Sequence, residues 1–184
     1  MLASFAKSEL LSGLQLRVGI ASNTLTAANS INTYDVSPQP HAAIDSWDSG
    51  KALFKRLLII VELAVLTAGS LSVKLYDDEE TITTGTAADA QLAFTLTSMT
   101  AAGLYAAEIR LDHVFPKTSA RYIVTDAESG LDDNVAGEIQ RYHSIRATAT
   151  GGDATFSVLC LYGFSLRGFP RAKHTVLTPT FNDA

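Results

Sequence analysis

The sequence predicts an all-β protein, an antiparallel β-sandwich or jelly roll with extended N- and C-terminal arms. Three observations lead there. Apolar residues recur at every second position in several separate runs, the period of a strand with one buried face. Turn-forming residues such as Ala68, Gly69 and Ser70, or Gly151, Gly152 and Asp153, lie between those runs. The runs do not alternate with helical patterns, as a parallel sheet built of βαβ units would require.

The elements follow in order. Residues 1–12 show no strand alternation and read as an N-terminal arm. Leu2, Phe5, Leu10 and Leu11 there could share one side of a short helix. Residues 14–21 alternate, with Leu14, Leu16, Val18 and Ile20 on one face. Residues 30–36 are a second strand, Pro38 and Pro40 end it, and residues 41–50 form a loop holding Trp47.

Residues 53–66 admit an amphipathic helix, but their richness in Leu, Ile and Val and the turn that follows favour a strand. Its centre is apolar on both faces, so it must be a central strand or lie under a partner. Residues 70–77 alternate cleanly through Leu71, Val73 and Leu75. Further strands are expected at 92–97, 105–114 and 121–125. Residues 124–141 read as an acidic insertion loop. Residues 142–150 and 154–162 flank the Gly-Gly turn and predict a hairpin. The sandwich domain thus covers 13–163, and residues 164–184 form a C-terminal arm.

The 184 residues are 47% hydrophobic and 18% charged, enough apolar material for one packed core. The net charge of -5, with no cluster of Lys and Arg among aromatics, argues against nucleic acid as a partner. The longest apolar run is interrupted at Glu62 and is about half the ~20 residues a membrane helix needs, so no membrane partner is expected. No leader segment is expected at the N-terminus either. A single cysteine, Cys160, cannot close an internal disulfide and reads as a buried small hydrophobe.

No catalytic signature emerges, and the protein is expected not to be an enzyme. Ser165, between Gly163 and Gly168, misses the spacing of a nucleophile elbow by one residue. His41, His113, His143 and His174 form no close-spaced ligand pair, so neither a metal nor another cofactor is expected. The acidic loop with Asp126, Glu128, Asp132, Asp133 and Asn134 has Gly130 where an EF-hand would need a ligand. The residue types that anchor protein interfaces do stand out. They are Trp47, the dipeptides Arg121-Tyr122 and Arg141-Tyr142, and the apolar anchors of the arms, Leu2, Phe5, Phe169, Pro170 and Phe181, with Arg171 beside them. These are the candidate partner-binding residues.

Several of these runs carry a family resemblance. RLLIIVE at 56–62, LSVKL at 71–75, YAAEIRL at 105–111 and SARY at 119–122 resemble strands of the jelly-roll cement, or decoration, proteins of tailed bacteriophages. So do RATATGGDATF at 146–156, VLCL at 158–161 and SINTYD at 30–35. The resemblance spans residues 14–162 and departs at the insertion. It implies a virion structural protein, made in the host cytoplasm and placed on the outer capsid surface. It further implies a homotrimer that binds the major capsid protein, with no cofactor and no catalysis. The alternative function is a ligand- or receptor-binding β-sandwich module of a phage tail, of the carbohydrate-binding kind.

Overall fold

A computed structural model describes residues 15–25, 30–32, 47–48, 54–78, 91–116, 137, 139–140, 142–168 and 173–183. Its strands are β1 (Gln15–Leu25), β2 (Ser30–Asn32), β3 (Trp47–Asp48), β4 (Arg56–Leu66), β5 (Ser70–Asp78) and β6 (Gln91–Met99). They continue with β7 (Gly103–Arg110), β8 (Tyr142–Thr150), β9 (Ala154–Tyr162), β10 (Thr175–Val176) and β11 (Thr180–Phe181). A 3-10 turn covers Leu166–Gly168.

The strands form two sheets packed as a β-sandwich. One, the β4 sheet, runs β1-β9-β4-β7-β10; the other, the β5 sheet, runs β11-β6-β5-β8-β2, with β3 also on β8. The long pairings are antiparallel and nested: β1 with β9, β2 and β3 with β8, β4 with β7, β5 with β6. Alternation along each strand explains the core. Leu57, Ile59, Val61 and Leu63 of β4 point inward with Ala107 and Ile109 of β7 and Phe156, Val158 and Cys160 of β9. From the facing sheet come Leu71, Val73 and Leu75 of β5, Phe94 and Leu96 of β6, and Ile145, Ala147 and Ala149 of β8. Of the run at 53–66, Arg56–Leu66 is a strand, and it is central, flanked by β9 and β7.

The local turn signals are real, but two of them are not hairpins. The turns at 67–69 and 151–153 join strands of opposite sheets: β4 to β5 and β8 to β9. The expected hairpin at Gly151-Gly152 is therefore a corner at the rim of the sandwich. The two corners lie against each other. Thr67 N donates to the Asp153 carbonyl at 3.0 Å, and Asp153 N donates to Thr67 Oγ1 at 2.8 Å. Gly69 has φ of 75°, and a Cβ there would sit 1.8 Å from the Thr150 carbonyl oxygen, so this contact admits only glycine.

Of the second strand, expected over 30–36, Ser30–Asn32 is a strand and residues 33–36 lie outside the described residues. Two further expectations are corrected. Trp47, expected in a loop, lies in β3, its backbone opposite His143 of β8. In β6 the register shifts where Leu75 faces Phe94 and Tyr76 faces Leu92. Ala93 is the extra residue; it and Phe94 are both buried while Leu92 is half-buried, which breaks the expected alternation.

Candidate interaction surface

The outward-facing side chains of the β4 sheet are unusually apolar. Register places Leu161, Leu58 and Glu108 side by side on that face, then Leu159, Ile60 and Ala106, then Ser157, Glu62 and Leu104. The parallel pairing of Val176 with Ala106 carries the middle row onto β10. Leu58 and Ala106 are buried yet stand outside the core cluster, which confirms that they point away from it. Ile60, Leu159 and Leu161 are partly exposed, and Val176 is 55% exposed. An antiparallel sheet with a solvated outer face normally alternates apolar-in and polar-out; here the alternation fails on the centre of the sheet.

Charged groups border this apolar centre. Arg56 and Arg110 are cross-strand neighbours at one end. Arg56 donates to Glu108 Oε1 at 2.5 Å, and the second oxygen of Glu108 accepts from Leu166 N at 2.8 Å. Glu108 thus ties the 3-10 turn to β7. Arg110 holds Asp112 through two bonds of 2.9 Å. The hydrogen bond from Arg110 lowers the Asp112 pKa, and that of Arg110 is raised in return. Both groups are exposed, so the pair adds little stability.

The C-terminal segment, expected as an arm, lies on its own sandwich over residues 173–183. β10 pairs in parallel with the edge of β7, and β11 pairs antiparallel with the edge of β6. Between them Leu177 is buried in the core, its N–H donating to the Ala106 carbonyl at 2.8 Å. Phe181 packs partly buried against the core. It stacks on His113 at 3.7 Å between ring centroids and meets Phe94 and Phe115 edge-on. Asp183 reaches His113 Nε2 at 3.1 Å. Beside this contact a cleft of about 340 Å³ is lined by Glu108, Arg110, Asp112, His113, Val114 and Phe181.

A second polar cluster is mostly interior, with His143 and Asp77 fully buried and Gln140 half-buried. His143 Nε2 lies 3.0 Å from the Gln140 carbonyl, and Nδ1 lies 2.7 Å from the Tyr162 hydroxyl. A carbonyl can only accept, so Nε2 carries the proton; a neutral ring then accepts from Tyr162 at Nδ1. The Gln140 N–H donates to buried Asp77. Ile139 is buried beside them, and Phe115 N donates to the Gly137 carbonyl at 2.6 Å. These bonds stitch the end of the 124–141 insertion into the sandwich. His143 and Asp77 are fully buried, so this constellation is structural support and offers nothing to a substrate. Cys160 is also fully buried, and burial pushes its thiol up to about 12. It is unreactive at neutral pH.

Of the residues singled out from sequence, Leu2, Phe5, Arg121, Tyr122, Arg141, Phe169, Pro170 and Arg171 lie outside the described residues, as do the arm 1–12 and the acidic loop. Trp47 is placed by its backbone alone. Tyr142 is half-buried at the start of β8, opposite Asp48 and Asp78, and Phe181 clasps its own domain. Tyr142 in β8 and Phe181 in β11 are separated by β5 and β6, so the structure does not bring these two together. Sequence reasoning missed the outer face of the β4 sheet, although its signal was present in the two-sided apolarity of residues 57–61. It also missed His113, whose pairing with Asp183 needs the tail in place.

No known family and no curated protein matches this chain. A solved structure, that of PfGH50B, overlaps 81% of it at 13% identity with a TM-score of 0.37; the chain spans 23% of that protein's length. A likeness that loose carries no argument about ligand or reaction.

Proposed function

We propose that this chain is a virion structural protein, a cement or decoration protein that packs on the outer surface of a tailed-phage capsid and strengthens contacts between major capsid proteins. The observation that carries the reading is the outer face of the β4 sheet, with Leu159, Leu161, Ile60 and Val176 partly or largely exposed in one patch. Contiguous apolar surface on a sandwich face is the mark of a protein whose work is packing against another subunit. The nested strand pairings support the same reading. A chain doubled into one long hairpin and then rolled up pairs its strands in this order, the arrangement the jelly-roll resemblance calls for. On an icosahedral shell, modest contacts of this kind sum over many copies.

The test is the amount of this protein in purified source virions, quantified against the major capsid protein. Copies comparable in number to the capsid subunits, with heads that become fragile when they are stripped, support cement. A small number per particle points to a tail component, and absence from particles rules out both.

A second reading, a ligand-binding module of a phage tail, draws on the cleft beside Phe181 and His113. Its aromatic floor and charged rim suit a small polar ligand such as a sugar. Binding on a glycan array that is abolished by Arg110→Ala would favour it over cement.

A further inference from the structure

We infer that the outer face of the β4 sheet docks an amphipathic helix of a partner protein, about three turns long, with a basic residue on one flank. The inference rests on the cement reading, which makes that face the docking face, and adds the kind of segment it takes.

The shape comes from the register. Leu161 on β9, Ile60 on β4 and Leu104 on β7 are all partly exposed. Each lies one strand over and two residues along from the one before, so the three form a diagonal across the face. Strands are ~4.8 Å apart and two residues rise ~6.8 Å, so the line is about 17 Å long and inclined about 35° to the strands. A helix covers that length in about 11 residues, or three turns. Leu159 and Val176 flank the line on its two sides and widen the apolar strip to suit the stripe of such a helix.

The borders set the width. Glu62 and Glu108 stand on opposite sides of the diagonal, about 12 Å apart across it by the same spacings. That is the diameter of one helix with its side chains, about 10–12 Å. A strip of this length and width is far below the ~800 Å² that each partner of a stable dimer contributes, which argues against a second copy seated face to face.

The two borders also differ in charge. Glu108 accepts from Arg56 and from Leu166 N, and Arg110 beside it holds Asp112. Glu62 is exposed and makes no ion pair or hydrogen bond among the described residues. An unpaired carboxylate at the edge of an apolar strip is complementary to a cation on the incoming segment. A lysine or arginine on the helix flank above Glu62 supplies it.

The test uses two synthetic helical peptides with one leucine stripe in common, one carrying lysines along a flank and the other glutamates. Each is titrated against the full-length protein by fluorescence anisotropy. The lysine peptide is expected to bind saturably and about tenfold more tightly than the glutamate peptide. Glu62→Lys changes an exposed side chain and leaves the core alone; it is expected to reverse that order. Ile60→Ser is expected to weaken both peptides alike. No saturable binding, or a preference that Glu62→Lys leaves unchanged, overturns the inference. Two other occupants have their own signatures, and either overturns it. Peptide binding that appears only in the Leu2→Ser, Phe5→Ser double variant assigns the face to this chain's own N-terminal segment. A wild-type dimer in sedimentation equilibrium that Ile60→Ser dissociates assigns it to a second copy. The two readings fail separately. Protein that decorates shells but takes neither peptide sinks the helix alone, and charge-selective peptide binding without shell binding sinks the cement reading alone.

Discussion

The two sheets share one core and differ on their outer faces. The β5 sheet turns Ser72, Lys74 and Tyr76 of β5 and Arg146 and Thr148 of β8 outward, a polar surface of half-buried side chains. At the matching depth the β4 sheet turns out Leu58, Ile60, Leu159, Leu161 and Ala106. The central strands of both sheets pair antiparallel and are flanked on two sides, so backbone pairing does not explain the contrast. The difference teaches that only one face of this sandwich is composed for water. The other is composed as a second packing layer, partly covered by the chain itself, as the burial of Leu58 and Ala106 records.

Matched substitutions on the two faces break the comparison most sharply. Leu58→Asp puts an unpaired charge into a covered site and is expected to cost about 3–5 kcal/mol. Ser72→Asp, at a half-buried outward position of the β5 sheet, is expected to stay within about 0.5 kcal/mol. Urea unfolding midpoints of the two variants read this directly. Equal losses would mean that the faces are not different in kind.

The next effect separates assembly from stability. Ile60→Lys combined with Leu159→Lys alters partly exposed positions and is expected to lower stability by about 1–2 kcal/mol in all. Binding to capsid shells, measured by co-sedimentation, is expected to disappear. A double variant that still decorates shells would move the interface elsewhere.

On the polar face, Lys74 stands directly opposite Arg146, and like charges in that position repel. Lys74→Glu is expected to raise stability by about 0.5 kcal/mol, with the gain shrinking as salt is added. A loss would show that Lys74 has an anionic neighbour.

The smallest effect concerns pH. The carboxyl of Asp112 has its pKa lowered by Arg110, so its contribution is present above the ordinary carboxylate range and is lost as pH falls through the lowered value. Because both groups are exposed, Asp112→Asn is expected to leave the acid-unfolding profile nearly unchanged in high salt. A large shift would mark the rim of the apolar face as buried in the native assembly.

Much of the fold was legible locally. Alternation located β5, the inward residues of β7 and both glycine corners, because a strand's period and a turn's demand for positive φ are properties of a few adjacent residues. The candidate surface was half-legible. Apolarity on both sides of residues 57–61 announced cover on two faces, but one of those covers could have been any element. His113 was not legible at all, since its partners Phe181 and Asp183 lie about seventy positions away.

By itself, then, the amino-acid order determined an all-β chain, the positions of several of its strands, the inward sides of β5 and β7, and where the chain must turn. The tertiary structure decided which strands pair. A Gly-Gly turn of a few residues can return a strand beside its predecessor or carry it across the ~10 Å between stacked sheets. Local energies hardly distinguish the two. The choice fell to packing over the whole sandwich, which buries Leu57, Ile59, Phe94 and Ile145 together only when β4 and β5, like β8 and β9, lie in opposite sheets. The same long-range choice placed the tail across both sheet edges, because only the assembled edges of β6 and β7 offer a groove for Leu177 and Phe181.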